Sequence, residues 1–346
     1  MGHIDAPKII HLQLIDPHRL EIYWDQEVIH TDLTSCYKIF KMGTELDFFS
    51  NRGEDVEWDV RPVYEQVKKR TTLYLKEPIT KKDLQQINVS VCGEIKNSEG
   101  TPADKNRCYT VCHWHDFYNL YTRSETGIIV KSSDNVSREA HRTAVKIIDV
   151  QLAKIPEVTK VMKAMHVEVA IYGKNEDVYD LPEHRGGADL MDRPVEGFGG
   201  IPDNPVTSIA EKNVLRIIDG PNQTRYLNEC ILAHEFGHAI HLIGINNLPD
   251  QTLTNELIAT YEHAKAEDLW PNTYAISNYE EYFATLSTIW FNVMAASKSG
   301  TWDGVRGPIH RREQLAAYDP AAYQFFAKIY EKTNLPAPWN EPILLN

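Results

Sequence analysis

Residues 231–243 read ILAHEFGHAIHLI. His234 and His238 stand four apart, which on a helix puts both imidazoles on one face. From there they can reach one cation at the roughly 2.0–2.1 Å that zinc requires. Glu235 follows the first histidine and is placed to take a proton from a water rather than to bind the metal. This is the H-E-x-x-H pattern, with two ligands and one general base. The flanks Ile231, Leu232, Ala233, Phe236, Ala239, Ile240, Leu242 and Ile243 predict a helix buried on most sides. Two imidazoles and a carboxylate in such a helix are costly unless something satisfies them. A Zn2+ ion would do so; hydrogen-bonded core histidines are the plainer alternative. Gly237 lets another element approach closely.

Such a site needs a third protein ligand. A third histidine six residues after the second would fall at Gly244, which excludes that arrangement. His241 lies on a different face from His238 and reads as a core residue or a neighbour of a ligand. Glu256, in TNELIATY, lies 256 − 238 = 18 residues downstream. An Asn-Glu pair near that distance resembles thermolysin-type sites, although Thr260 stands where those carry an aspartate. Glu281 lies 281 − 238 = 43 residues downstream, in TYAISNYEEYFATLSTIW, among the apolar Tyr282, Phe283, Leu286, Ile289 and Trp290. Glu280 is adjacent, but one residue turns a helical side chain by about 100°, so only one of the two can face the histidines.

This last stretch, taken with HEFGH, resembles the catalytic domain family of anthrax lethal factor, a gluzincin-type zinc metallopeptidase. That family pairs HEFGH with a helix bearing Glu-Phe-Phe-Ala-Glu. Here Glu281-Tyr282-Phe283-Ala284 matches its first four positions, and Thr285 departs from the second glutamate. The resemblance implies zinc held by His234, His238 and Glu281, with Glu235 catalytic. It also implies that Tyr274, seven residues before Glu281, lines the site, where its hydroxyl can support an oxyanion. The segments RYLNECILAHEFGHAIH and RREQLAAYDPAAYQFF are similar to a wider group of secreted proteins with this zinc motif, which implies a secreted or cell-surface location.

These residues need a scaffold. SREAHRTAVKIIDVQLAKI, from Ser137 to Ile155, repeats apolar residues at helical spacing, and Ser137 or Asp134 can cap its start. Further helices are predicted over 225–245, 252–268, 278–297 and about 311–332. HVEVAIYG alternates as a strand, and NVLRIID also reads as one. The latter is either an ordinary sheet strand or a partner for an extended substrate backbone. GGADLMDRPVEGFGGIPDNP reads as a loop, with no phosphate fingerprint. Before residue 113 or so the chain reads as β. KIIHLQLIDPHRLEIYW offers two strands around Asp16-Pro17, and CYKIF, TTLYLKEPI and INVSVCGEI follow. Short strands at this spacing predict a sandwich. TTLYLKEPITKKDLQQINVSVCGEIKNSEG resembles bacterial Ig-like domains; an irregular β extension of the catalytic domain is the alternative.

The expected fold is therefore α+β. A β-sandwich, Ig-like domain over 1–115 precedes a mostly helical, zincin-like domain with a small sheet over 116–346. Length fits one large or two ordinary domains. A net charge of −13 argues against a nucleic-acid partner, because phosphate binding needs a basic face. No apolar run is long enough for a transmembrane segment. The opening MGHIDAP reads as an expression remnant before a mature chain, so the lack of a visible signal peptide says little about export. Five cysteines without a CxxC pair argue against a cysteine zinc site, and the odd count leaves a free thiol, best assigned to Cys230 in an apolar setting. The expected partner is a protein or peptide substrate cleaved by activated water. A non-protein amide or ester substrate, or a surface-binding protein with a structural metal, are the other readings.

Overall fold

A computed structural model describes residues 5–47, 62–114, 117–184 and 195–341. The chain is of mixed α and β structure with several small sheets, and it divides into two compact units. The first comprises Met1–Phe117 with Tyr179–Pro194, the second Tyr118–Val178 with Val195–Asn346. The boundary expected at 115/116 lies outside the described residues, as do 186–194 of the expected Gly- and Pro-rich loop. The sequence did not announce that the chain returns to the first unit after Val178.

The first unit holds strands β1 (Ile9–Asp16), β2 (Arg19–Trp24), β3 (Val28–Ile29), β4 (Tyr37–Lys41), β5 (Thr44–Glu45), β6 (Val63–Glu65), β7 (Arg70–Tyr74), β8 (Ile87–Val91), β9 (Lys96–Asn97), β10 (Cys108–Thr110) and β11 (His113–Trp114). They form sheets of order β11-β1-β2-β7-β6 and β10-β8-β4-β5, with β3 and β9 as a separate pair. Alternation sets the inner faces. Ile87, Val89 and Val91 are buried from one sheet and Leu12, Leu14, Leu20, Ile22 and Leu73 from the other, in one apolar cluster. Cys36 and Cys92 form a disulfide, and Cys108 and Cys112 are free and exposed.

The second unit carries a five-stranded sheet of β12 (Leu120–Arg123), β13 (Ile129–Ser132), β14 (Glu168–Tyr172), β15 (Gly197–Phe198) and β16 (Val206–Ala210). Its order is β12-β13-β14-β16-β15; β13, β14 and β16 run parallel, and β12 and β15 pair antiparallel at the two edges. The helices are α1 (Arg138–Leu152), α2 (Pro156–Ala164), α3 (Glu211–Val214), α4 (Ile231–His238), α5 (Thr252–Ala266), α6 (Tyr279–Trp290), α7 (Arg312–Tyr318) and α8 (Pro320–Ile329). The Ser137 hydroxyl caps α1 by accepting from Ala140 N (3.2 Å), and Ala140, Ala144, Ile147, Ile148 and Leu152 form its buried stripe.

Four expectations need correction. NVLRIID is not a strand: the strand is the preceding β16, and the segment starts inside α3. That helix closes with Ile217 N donating to Lys212 O (2.9 Å) around Arg216 at φ 47°, a left-handed stop that apolar alternation does not reveal. The helix expected over 278–297 ends at Trp290, where Asn292 at φ 64° and the Val293 N to Thr288 O bond (2.9 Å) make the same kind of stop. The helix expected over 311–332 is two helices, because Pro320 cannot donate to the preceding turn and Asp319 caps a new start by accepting from Ala322 N (3.0 Å). Likewise, the α-helix expected over 225–245 spans only α4, then continues as a π-helical stretch over Ala239–Gly244.

Candidate metal site

Residue α4 must present is His234 and His238, and the helix is held from three directions. Cys230 supplies no side-chain cap; instead Asn213, fully buried on α3, accepts from Ile231 N (2.9 Å). Cys230 N donates to Val293 O (3.0 Å), and Gln151 of α1 donates to Ala233 O (3.0 Å). Ile231, Leu232, Ala233 and Phe236 fill the core around it. Cys230 is a buried free thiol, pushed up to about 12 by burial, and so is inert packing.

Helix α6 brings the glutamate. Asn278 caps it by accepting from Glu281 N (2.7 Å), which fixes Glu281 in the first turn. Gly237 permits the approach: a Cβ there would lie 3.4 Å from Ala284 Cα and from Ser287 Oγ. As a result Glu281 Oε2 lies 3.2 Å from His234 Nε2 and 3.5 Å from His238 Nε2. The two rings are 5.0 Å apart at 81°, and one donor atom from each of the three residues lies within 4.8 Å of the others. Oε2 is buried, yet neither contact has hydrogen-bond geometry. A buried carboxylate oxygen aimed between two imidazoles without bonding to either fits a cation placed among them.

Electrostatics agree with that fit. Burial opposes charge on His234, but Glu281, Glu235 and Glu229 outweigh it and push it up to about 9. Burial would raise Glu281, but the two imidazoles hold it well below the usual carboxylate range. Glu235 is pushed up by burial, against the pull of His234 and His238. Glu229, also buried, is clamped by Arg306 through Nε (2.9 Å) and Nη2 to the same oxygen.

The other candidates fall elsewhere. Glu256 lies on α5 and pairs with Lys328 (2.8 Å) near the surface. Glu280 is outside the donor set. His241 is fully buried, its ring against Tyr279 (5.3 Å) and Phe283 (5.4 Å), with neither ring nitrogen hydrogen-bonded. Tyr274 stands beside the site, its ring 6.5 Å from that of His234 and inclined by 24°.

Sequence reasoning missed the residues that seat these groups. Edge strand β15 and the residue that follows it run over α4 with a glycine at each place of close approach. A Cβ on Gly197 would lie 3.0 Å from Glu235 Cγ, and one on Gly199 only 2.6 Å from His238 Cβ. The GFGG at 197–200 was the available clue, since glycines two apart on a strand share a face. Asp319, fully buried on the other side, accepts from Trp270 Nε1 (2.9 Å) and Tyr282 Oη (2.6 Å) besides capping α8. It ties the segment leading to Tyr274, and α6, to the C-terminal helices.

No protein-family model matches the chain, and no curated protein matches it. Among solved structures it has similarity to the S-layer protein rSbsC(31-844), at TM-score 0.27 and 13% identity over 35% of this chain and 16% of that one. The N-terminal part of the bacterial S-layer protein SbsC gives 0.26 and 13% over 35% of this chain and 27% of that one. Domains 1-6 of SbsC give 0.26 and 14% over 37% and 19%. The chain thus spans about a quarter or less of the length of the S-layer structures it matches. Likeness at this level carries no argument about fold or function. Among the described residues no helix is long and apolar enough to cross a membrane.

Proposed function

We propose that the second unit is a zincin-like catalytic domain and that the protein is a zinc-dependent metallopeptidase. The observation that carries this reading is the buried Glu281 Oε2, set between His234 Nε2 and His238 Nε2 with Glu235 beside them. His234, His238 and Glu281 would hold the ion. When bound, zinc supplies Lewis-acid polarisation of a carbonyl and acidifies water at the open position. The chain's own groups do the rest. Glu235, raised by its burial, accepts a proton from the attacking water and returns it to the leaving amine. Tyr274 donates its hydroxyl to the developing oxyanion. Edge strand β15, lying against Glu235, offers its backbone to an extended peptide, one of the two roles the sequence left open for NVLRIID. We further propose that the paired sheets of the first unit are an Ig-like docking or spacer module. A secreted or cell-surface setting completes the proposal, on the resemblances in sequence alone.

The test is elemental analysis joined to one substitution. Protein prepared without chelator should hold about one zinc per chain, lost to chelator and regained on adding Zn2+. Glu235→Gln should keep the metal and lose nearly all peptide turnover, because it removes a base and not a ligand. A chain that takes up no zinc would refute the site; wild-type turnover by Glu235→Gln would refute the mechanism.

A further inference from the structure

One sheet of the first unit ends on an open edge that carries two thiols. β10 is the outer strand of the sheet β10-β8-β4-β5, and among the described residues it pairs only with β8. Val111, just past its end, donates its N–H to Ile87 O (2.9 Å) and accepts from Gln85 N (2.8 Å). Bonding alternates along an antiparallel ladder, so Cys108, Thr110 and Cys112 turn their N–H and C=O groups away from β8. Side chains alternate as well. Val111 is fully buried, whereas Cys108, Thr110 and Cys112 are exposed together on the other face. Such an edge is a template for another strand.

The two thiols have no sulfur to join within the chain. Cys36 is bonded to Cys92, and Cys230 is buried in the core of the second unit. Cys108 and Cys112 are four extended residues apart, about 13 Å between Cα atoms, whereas a disulfide spans at most about 7 Å. The Cys112 thiol makes a long contact with Thr110 O (3.6 Å). The Cys36–Cys92 bond fits a setting in which thiols are oxidised.

A second copy of this edge supplies both missing sulfurs at once. Laid antiparallel about a two-fold axis at Thr110, each Cys108 faces the partner's Cys112, because both stand two residues from the axis. With backbone groups turned outward they are hydrogen-bonded pairs, with Cα atoms about 5.5 Å apart. That matches the commonest Cα separation of a disulfide, about 5.5–6 Å. Five residues of edge are too few for a stable interface alone, since specific ones bury about 1,200–2,000 Å². Covalent links make up the difference.

We propose that β10 joins two copies of this chain, through two Cys108–Cys112 disulfides related by a two-fold axis at Thr110. The four thiols are oxidised to two disulfides. Their four electrons and four protons pass to two molecules of a low-molecular-weight disulfide, such as oxidised glutathione, which leave as four thiols. The link is independent of the metal site and of the peptidase reading.

The experiment incubates the full chain with oxidised and reduced glutathione, then measures mass by light scattering and by electrophoresis without reductant. Wild type should have twice the mass of the chain and return to the monomer on reduction. Cys108→Ser and Cys112→Ser should each stay monomeric, because like residues lie at least about 13 Å apart across the axis. Mixed together, the two variants should recover a dimer held by one disulfide, since each brings the cysteine that the other lacks. Wild type that stays monomeric, or carries only glutathione on these thiols, overturns the inference. So does a covalent dimer formed by either variant alone, or a mixture that fails to dimerise.

Discussion

Gly199→Ala tests whether the segment just after β15 seats the second histidine. An alanine Cβ would lie 2.6 Å from His238 Cβ and 3.0 Å from its Cγ and Cδ2. Carbon atoms settle about 3.5–4.0 Å apart, so strand and helix must separate by roughly 1 Å. Rotating the imidazole gives no relief, because the nearest atom is Cβ, fixed to the backbone. Overpacking of this kind costs about 1–3 kcal/mol, which should appear as a lower Tm of the zinc-free protein. Metal bonds tolerate only about 0.2 Å of error, so a shifted His238 should also bind zinc worse. We expect a loss of about 10–100-fold in zinc affinity, as for other residues that orient ligands. Titration against a competing chromophoric chelator measures it. Gly200→Ala is the control, because there the nearest atoms lie at 3.3 and 3.4 Å and need give only a little. Zinc affinity of Gly199→Ala within twofold of wild type would refute the idea that the segment after β15 positions His238, even if Tm fell.

Other outcomes follow from the same geometry. Glu281→Ala should empty the site while Glu256→Ala keeps its zinc, since Glu256 is engaged with Lys328; the reverse pattern, by elemental analysis, would move the third ligand to α5. His234 in the zinc-free state holds its proton up to about 9, against about 6.5 unfolded, so zinc must displace that proton across this window. Zinc affinity should therefore rise roughly tenfold per pH unit from about 6.5 to 9 and then level off. The stabilisation that His234 gives the zinc-free protein is full below about 6.5 and lost as pH rises through about 9, so the Tm gap between zinc-loaded and zinc-free protein should widen over the same range. A zinc affinity flat across that window would contradict the proton-for-metal exchange. Tyr274→Phe should lower kcat about 10²–10³-fold with little change in KM and none in zinc content. An unchanged kcat would remove Tyr274 from the mechanism.

Much of the grouping of His234, His238 and Glu281 was legible because the residues stand at helical spacing. His234, Glu235 and His238 share five residues, and Glu281 sits near the start of a helix whose apolar pattern marks it. What supports them was not, because it is held by contacts distant along the chain. Asn213 caps a helix that begins 231 − 213 = 18 residues later, and nothing near Ile231 points to it. Gly197 and Gly199 read as loop glycines, since their meaning lies in the side chains facing them across strand and helix. In NVLRIID alternation favours a strand, but Asn213 and the left-handed Arg216 decide for a helical turn. In the first unit, by contrast, alternation sufficed for β4 and β8, because one face of each is buried.

The bonds to Asp319 have a consequence for how the second unit opens. Its carboxylate collects the Trp270 indole, the Tyr282 hydroxyl and the first turn of α8, three stretches that span 322 − 270 = 52 residues. Detaching any one strips a partner from a charge buried away from solvent, which makes fraying of the C-terminal helices alone unfavourable. The amides of α6 and α8 should therefore exchange as one cooperative unit, protected together and released together. Excursions that loosen the C-terminal helices should then also release the helix bearing Glu281, so the residence of an ion at the proposed site would be tied to local unfolding of a segment that never touches it.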